Sequence, residues 1–457
     1  MTAHAFSTLD LNPDLLKNLE SLKYNTMTPI QALALPEILA GQDLIGKAKT
    51  GSGKTAAFGL GILNKLAVKR FRIQCLVLCP TRELADQVAK EIRQLGRQIH
   101  NIKVLTLCGG VPFGPQKGSL EHGAHIIVGT PGRIEDHIRK KTLQLDDVEM
   151  FVLDEADRML DMGFGPVIET ITQQLPKQRQ TLLFSATYPH NIASLAENVM
   201  NEPLMIEVEE SHSEDTIRQV FYQIEDSSKR TEALAFLLQK YQPQSALVFC
   251  NTKVLTEEVV TELRKYGFKA LPLNGDLDQR DREQRLIQFT NQSLTVLVAT
   301  DVAARGLDID ALDLVVNYHL SRDPEVHTHR IGRTGRAGNS GIACSLYDKH
   351  EEHRLAALET SAATERAQVG KLDPTIPAPQ PKMTTLQIDG GKKQKVRAGD
   401  ILGALTSNQQ LEGKMIGKIT IQDNAAFIAI ERAVARQALD ILNNGKIKGR
   451  KFRARKL

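Results

Sequence analysis

Between residues 40 and 350, short apolar runs rich in Val, Ile, Leu and Phe alternate with stretches whose apolar positions recur at a helical period. The runs are Cys75–Cys79, Ile126–Val128, Phe151–Leu153, Thr181–Phe184, Ala246–Phe249, Thr295–Val298 and Leu314–Val316, and helical patterns occupy stretches such as Leu84–Leu95 and Thr256–Tyr266. A strand that is apolar along its whole length is buried on both faces. Strands separated by helices build parallel sheets with helices on each side. At roughly 150 residues per domain, a chain of 457 residues predicts about three domains. Two breaks divide it. Glu207–Thr216 is polar and acidic, and Leu372–Lys382 carries Pro374, Pro377, Pro379 and Pro381, which favour an extended linker. The expected fold class is α/β: parallel-sheet domains over residues 1–208 and 217–371, joined by a linker at 209–216. A second linker at 372–382 leads to a small domain over 383–457. No repeat of fixed period is visible.

No apolar run approaches the ~18–20 residues that cross a bilayer, and the first ten residues lack a basic-then-apolar leader. The five cysteines form no CxxC pair, and Cys75 and Cys79 lie inside an apolar run, as buried thiols do. A cytoplasmic protein without a membrane partner is expected, and a monomer. The net charge of +4 conceals an uneven distribution: residues 382–457 carry +10 and the remainder −6. A basic tail on a mildly acidic body fits a module that grips a polyanion.

Ala48-Lys49-Thr50-Gly51-Ser52-Gly53-Lys54-Thr55 has the make-up of a phosphate-binding loop that opens a helix. Glycines let backbone N–H groups turn toward phosphate oxygens, the helix N-terminus adds its dipole, Lys54 supplies a charge, and Thr55 a hydroxyl for Mg²⁺. The strict pattern has Gly where Ala48 stands. Phe151-Val-Leu-Asp154-Glu155-Ala-Asp157 reads as a buried strand ending in acids, where open α/β sheets place their ligands. Asp154 is suited to Mg²⁺, and Glu155 to activating the attacking water.

Asp154-Glu-Ala-Asp157 resembles the signature of the DEAD-box RNA helicases, and the other family motifs follow in order over roughly the first 350 residues. Thr28-Pro-Ile-Gln31 with Phe6 upstream resembles the Q motif (within residues 4–32), which implies adenine reading by Gln31 and stacking by Phe6. Lys23 and Met27 depart from its commoner Gly and Pro. Pro80-Thr-Arg82-Glu-Leu84, Gly109-Gly110 and Thr130-Pro-Gly-Arg133 resemble motifs that hold the RNA backbone, implying contacts from Arg82, Gly110, Thr130 and Arg133. Ser185-Ala-Thr187 resembles the motif that couples ATP turnover to strand separation, together with Asp157. Ala299-Thr-Asp301…Arg305-Gly-Leu-Asp308 and His329-Arg-Ile-Gly-Arg333-Thr-Gly-Arg336 resemble motifs of the second RecA-like domain.

From that likeness, Arg333 and Arg336 are arginine fingers on the γ-phosphate, Asp308 reaches the ribose and His329 couples the domains. Thr252, Gln279, Arg282, Thr300 and Asp301 extend the RNA track. Asn274 stands where relatives often carry His. The resemblance implies two tandem RecA-like domains that close on ATP and RNA together, bend one strand and melt a few base pairs.

Residues 383–457 read as strand Thr384–Ile388, helix Asp400–Leu405, strands Lys418–Ile421 and Ala426–Ile430, helix Ala433–Leu442 and strand Arg450–Arg455, the order of an RRM-like domain. Lys392, Lys393 and Lys395, with Lys446, Lys448, Arg450, Lys451 and Arg453, flank it with charge. Only Phe427 and Phe452 are aromatic there, so base stacking on the sheet is doubtful and phosphate contacts are expected. The segment closely resembles the C-terminal domain of one bacterial branch of the family. That likeness implies a 23S ribosomal RNA hairpin with adjacent duplex, and large (50S) subunit assembly on pre-50S particles. The alternatives are an ATP-gated RNA clamp or chaperone whose hydrolysis only drives release, and, third, a DNA helicase.

Overall fold

The computed structural model describes residues 5–48, 51–188, 190–208, 217–304, 312–335, 341–358, 364–407 and 411–457. The chain parts near residue 211 into two compact units. The expected 209–216 linker lies outside the described residues.

The first unit is built on seven parallel strands: β1 (Leu44–Lys47), β2 (Cys75–Leu78), β3 (Val104–Leu107), β4 (Ile126–Gly129), β5 (Met150–Asp154), β6 (Gln180–Ser185) and β7 (Leu204–Glu207). They lie in the order β3-β4-β2-β5-β6-β1-β7. Successive side chains of a strand point to opposite faces. Val77, Val128, Val152 and Leu182 therefore enter one apolar core, while Leu76, Ile127, Phe151 and Leu183 enter another. Two cores, one on each side of the sheet, explain why these strands are apolar throughout.

A second parallel sheet comprises β8 (Ile217–Gln223), β9 (Ala246–Cys250), β10 (Ala270–Leu273), β11 (Val296–Thr300), β12 (Leu314–Asn317), β13 (Gly341–Tyr347) and β14 (Thr364–Gln368). Its order is β10-β11-β9-β12-β13-β8-β14. Every strand run expected from the sequence is present. The strands not expected include the edge strands β7 and β14: β14 (Thr-Glu-Arg-Ala-Gln) carries little apolar signal, and β7 (Leu-Met-Ile-Glu) is an apolar run of only three residues beside the polar break.

In the second unit a small antiparallel sheet follows, formed by β15 (Met383–Ile388), β16 (Ile416–Ile421), β17 (Ala426–Glu431) and β18 (Ala454–Lys456) in the order β16-β17-β15-β18. Helices Ala398–Thr406 and Ala435–Asn444 pack on one face through Ile401, Leu405, Ala438 and Leu442 against Leu386, Ile388, Ile428 and Ile430. The fourth strand is shorter than expected, because Lys448 and Gly449 are both left-handed and form a tight turn between Ile447 and Arg450. The proline segment, expected to be extended, begins with a turn in which Ile376 N donates to the Asp373 carbonyl at 3.1 Å, and it is anchored: the Gln239 amide donates to the carbonyls of Asp373 and Ile376, at 2.5 and 2.7 Å. Among the described residues, no helix is long and apolar enough to cross a membrane.

Candidate ATP site and RNA-binding surfaces

In the first sheet the loop after β1 and the acids after β5 are separated by a single strand, β6. All three ends lie on the carboxyl edge of the sheet, where α/β sheets bind ligands. The Ala48 N–H donates to the Ser185 carbonyl at 3.0 Å, so the loop leaves the sheet against the end of β6. Gly51 and Gly53 are left-handed, with φ of +87° and +94°. A Cβ on Gly53 would stand 2.5 Å from the Gln31 amide nitrogen, so the second glycine also lets Gln31 approach. Gln31 donates to the Gly53 carbonyl at 3.1 Å and accepts from the Thr28 N–H at 2.9 Å, tying its turn to the loop. Lys54 is buried, and its ammonium donates to the Ala48 carbonyl at 2.7 Å. Thr55 is half-buried on the same first helical turn. Phe6 is buried in the apolar core beneath the helix Pro29–Ala40. Lys49 and Thr50 lie outside the described residues.

Asp154 is 3% exposed. Burial pushes its carboxyl up to about 7, with Lys54 opposing and Glu155 adding to the shift. Its Oδ1, with Ser52 Oγ, Ser185 Oγ and Thr28 Oγ1, is buried and has no hydrogen-bond partner among the described residues. Buried polar atoms are ordinarily paired. A cluster of them around a phosphate loop fits a polar ligand that supplies phosphate oxygens and a cation. Glu155 is buried with φ +54° and ψ +53°, an uncommon conformation for a residue with a side chain, and one found at functional sites.

Asp157 joins the acidic turn to the end of β6. Its Oδ2 accepts from Ala186 N at 3.2 Å, Thr187 N at 3.1 Å and Thr187 Oγ1 at 3.2 Å, while Oδ1 accepts from Arg158 N at 2.9 Å. One carboxylate thus ties the turn after β5 to the backbone of Ala186 and Thr187.

Arg82, Gly110 and Thr130 follow β2, β3 and β4, which are adjacent, so they share one end of the sheet. Gly110 has φ +69°, and a Cβ there would overlap the Arg82 guanidinium. Arg133 donates to Gln116 Oε1 at 2.9 Å and to the Val111 carbonyl at 3.1 Å. Gln116 also meets His137 Nε2 at 3.1 Å and donates to the Cys108 carbonyl at 2.9 Å. This positioning role was not visible in sequence, because a lone Gln in a helix has no signature.

The second unit repeats the pattern. Thr252 after β9 caps the helix Lys253–Lys265 by accepting from Leu255 N at 3.3 Å. Thr300 and Asp301 end β11, which lies between β9 and β10. Gln279 donates to Glu283 at 3.0 Å, and Arg282 to the Ala303 carbonyl at 2.8 Å. Asn274 is buried and donates to Thr256 and Glu257 at 3.0 and 3.1 Å, shaping the turn before Asp276. Arg330, which sequence reasoning passed over in favour of its neighbours, grips Asp301 with two bonds of 2.6 and 2.7 Å. It also donates to Asn317 and the His319 carbonyl. The Asp301 carboxylate is thus held within the protein. His329 is half-buried and Arg333 buried. Asp308 and Arg336 lie outside the described residues.

On the small sheet, Lys392, Lys393, Lys395, Lys446, Lys448, Arg450, Lys451 and Arg453 are all exposed. The first three sit on a turn whose backbone N–H groups at 392 and 393 donate to the carbonyls of Gln422 and Asp423, at 2.8 and 2.9 Å. The sheet's outer face is covered. Thr385, Gln387, Phe427 and Ala429 are no more than 2% exposed. Thr385 Oγ1 meets Asn291 Nδ2 at 3.2 Å and Ser293 Oγ at 2.6 Å, and Gln422 donates to Glu283 at 2.8 Å. Phe427 therefore offers no exposed stacking surface, and the exposed charge lies on the loops.

Comparisons with known proteins agree with this geometry. Residues 28–195 match the DEAD/DEAH box helicase model, 229–338 the helicase conserved C-terminal domain, and 385–456 the DbpA RNA binding domain. The chain is 53% identical to the ATP-dependent RNA helicase DbpA of Escherichia coli over 99% of both chains. It is 36% identical to the protein of the same name from Bacillus subtilis, again over 99% of each. A structure of S. cerevisiae Dbp5 bound to RNA and ADP BeF3 aligns at TM-score 0.72 and 32% identity, covering 80% of this chain and 96% of that one. The chain belongs to the DEAD-box ATP-dependent RNA helicases, in the group that carries a DbpA RNA binding domain.

Proposed function

We propose that the chain is an RNA-stimulated ATPase that separates short duplexes beside a 23S ribosomal RNA hairpin during large-subunit assembly. Its C-terminal domain selects that hairpin. The observation that carries the targeting reading is the small sheet itself: its outer face is buried, while eight basic side chains stand exposed on its loops. Such a surface favours phosphate and shape recognition of a folded RNA over base stacking along a strand.

In this reading Gln31 selects adenine, with Phe6 buried in the core and not open for stacking, while Gly51 to Lys54 receive the phosphates. Thr55 and Asp154 would hold Mg²⁺, whose charge would offset that of the phosphates. Glu155 takes a proton from the attacking water, and Arg333 and Arg336 meet the charge developing on the γ-phosphate. Asp157 relays the state of the acids to Thr187. RNA backbone contacts come from Arg82, Gly110, Thr130 and Arg133 in the first domain, and from Thr252, Gln279, Arg282 and Thr300 in the second.

The test is a short duplex attached to a ribosomal RNA hairpin, compared with the same duplex on an unrelated hairpin. The reading expects ATP-dependent separation that is faster on the ribosomal RNA. Binding and ATP turnover without separation of either duplex would establish an ATP-gated clamp instead. Equal ATPase stimulation by DNA of the same sequence would overturn RNA preference.

A further inference from the structure

The covered face of the small sheet is not closed everywhere. Between it and the helix Gln279–Thr290 lies a cavity of about 520 Å³. Arg280 and Gln284 line it from the helix, Phe427 and Arg455 from the sheet, and Asp423 and Asn424 from the turn between β16 and β17. Its volume falls within the roughly 300–1,000 Å³ of small-ligand sites. The lining is unlike a packing defect, because eight of the ten residues around it carry polar or charged side chains. The side chains of Arg280, Asp423 and Asn424 make no hydrogen bond or ion pair with a described residue, whereas Arg455 is braced by Gln387 Oε1 at 3.0 Å. Phe427 is buried and closes the floor.

We propose that this cavity binds one unpaired RNA nucleotide, continuous with the strand held by Lys392, Lys393 and Lys395. Two features argue for a nucleotide over other polar ligands. Two cations and two carboxylates, Asp389 and Asp423, stand side by side: the guanidiniums suit a phosphate or a flat base face, and Asp423 and Asn424 suit the donor edge of a base. The second feature is continuity. The turn carrying Asp423 and Asn424 is the one that accepts the backbone N–H groups of Lys392 and Lys393. A phosphate resting on those lysines therefore places the next nucleotide at the cavity mouth. The opposite wall, Arg280 and Gln284, is one face of the helix whose adjoining positions, Gln279 and Arg282, belong to the proposed RNA track. One helix would then receive RNA from both the motor and the targeting domain.

The inference rests on the RNA-targeting reading above, and its test separates the two. Full-length protein is titrated with a ribosomal RNA hairpin that is blunt, and with the same hairpin bearing a three-nucleotide single-stranded extension on either end. Wild type is expected to bind one extended hairpin about fivefold to tenfold more tightly than the blunt one, the scale of one or two charge-assisted contacts. Arg280→Glu removes that gain and leaves blunt-hairpin affinity within about twofold, while Arg280→Lys keeps part of it. A 4-thiouridine in the extension should crosslink to the peptide containing residues 422–427. An extension without effect in wild type would overturn the inference, as would an equal loss on all RNAs in Arg280→Glu. Failure of wild type to bind any of the hairpins would overturn the targeting reading itself.

Discussion

Replacing Asp157 with Asn tests whether one carboxylate links the nucleotide site to the strand-separation motif. One oxygen accepts from Ala186 N, Thr187 N and Thr187 Oγ1, and the other from Arg158 N. The Asn amide has only one oxygen. Its better orientation keeps that oxygen on the three donors and turns the NH₂ against the Arg158 N–H. The change therefore leaves one buried donor without an acceptor, at about 1–3 kcal/mol, and converts three charge-assisted bonds to weaker neutral ones. With Asp157 only 7% exposed, water repairs little of this, and the sum is about 2–4 kcal/mol. For a domain of about 200 residues that corresponds to a fall in melting temperature of about 4–16 °C. The chain has no tryptophan, so circular dichroism is the suitable probe, and the transition belonging to the first domain is the one that ATP shifts. Duplex separation per ATP hydrolysed should fall at least about tenfold, with the KM for ATP changed far less. A variant that melts like wild type and separates duplexes at the wild-type ratio would refute the link.

Lys54→Ala should weaken ATP binding in a direct titration, because its buried ammonium is held inside the loop, on the Ala48 carbonyl at 2.7 Å. Glu155→Gln should bind ATP normally and slow single-turnover hydrolysis by roughly 10²–10⁴-fold; retained turnover would remove Glu155 from the catalytic set. Arg330→Ala leaves the Asp301 carboxylate without its buried partner and should destabilise the second unit by about 3 kcal/mol in denaturant unfolding. Burial, and then the nearby Arg330, hold the His327 imidazole down at about 4. The unfolded chain takes up this proton near pH 6.5, so stability present at neutral pH is lost between about pH 6.5 and 4. The loss amounts to about 3 kcal/mol, and His327→Gln should flatten that part of the profile.

Both parallel sheets were legible because their central strands are buried on both faces and apolar over most of their length. Edge strands were not: β14, Thr-Glu-Arg-Ala-Gln, holds a single apolar residue, and β7 is a three-residue apolar run, two of whose members stay exposed. The phosphate loop and the acids after β5 were legible for a different reason: their chemistry needs particular residues at fixed local spacing, and local spacing survives without knowledge of the fold. Arg330 and Gln116 show the opposite case. Each acts on a partner far along the chain, and nothing in its own neighbourhood announces that partner.

The C-terminal charge divides in the same way. Sequence alone determined that the last 75 or so residues are basic and alternate as strand, helix, strand, strand, helix and strand. It also made base stacking doubtful by supplying only two aromatics. Tertiary structure decided which of those surfaces RNA can reach. Thr385, Gln387 and Phe427 alternate outward along their strands as solvent-facing residues would, yet they are buried because Asn291, Ser293 and the helix Gln279–Thr290 satisfy their polar groups and exclude water. Alternation along a strand reports only that a face points away from its own domain's core. Whether that face meets water or another domain depends on packing between residues roughly a hundred positions apart, which no local pattern encodes.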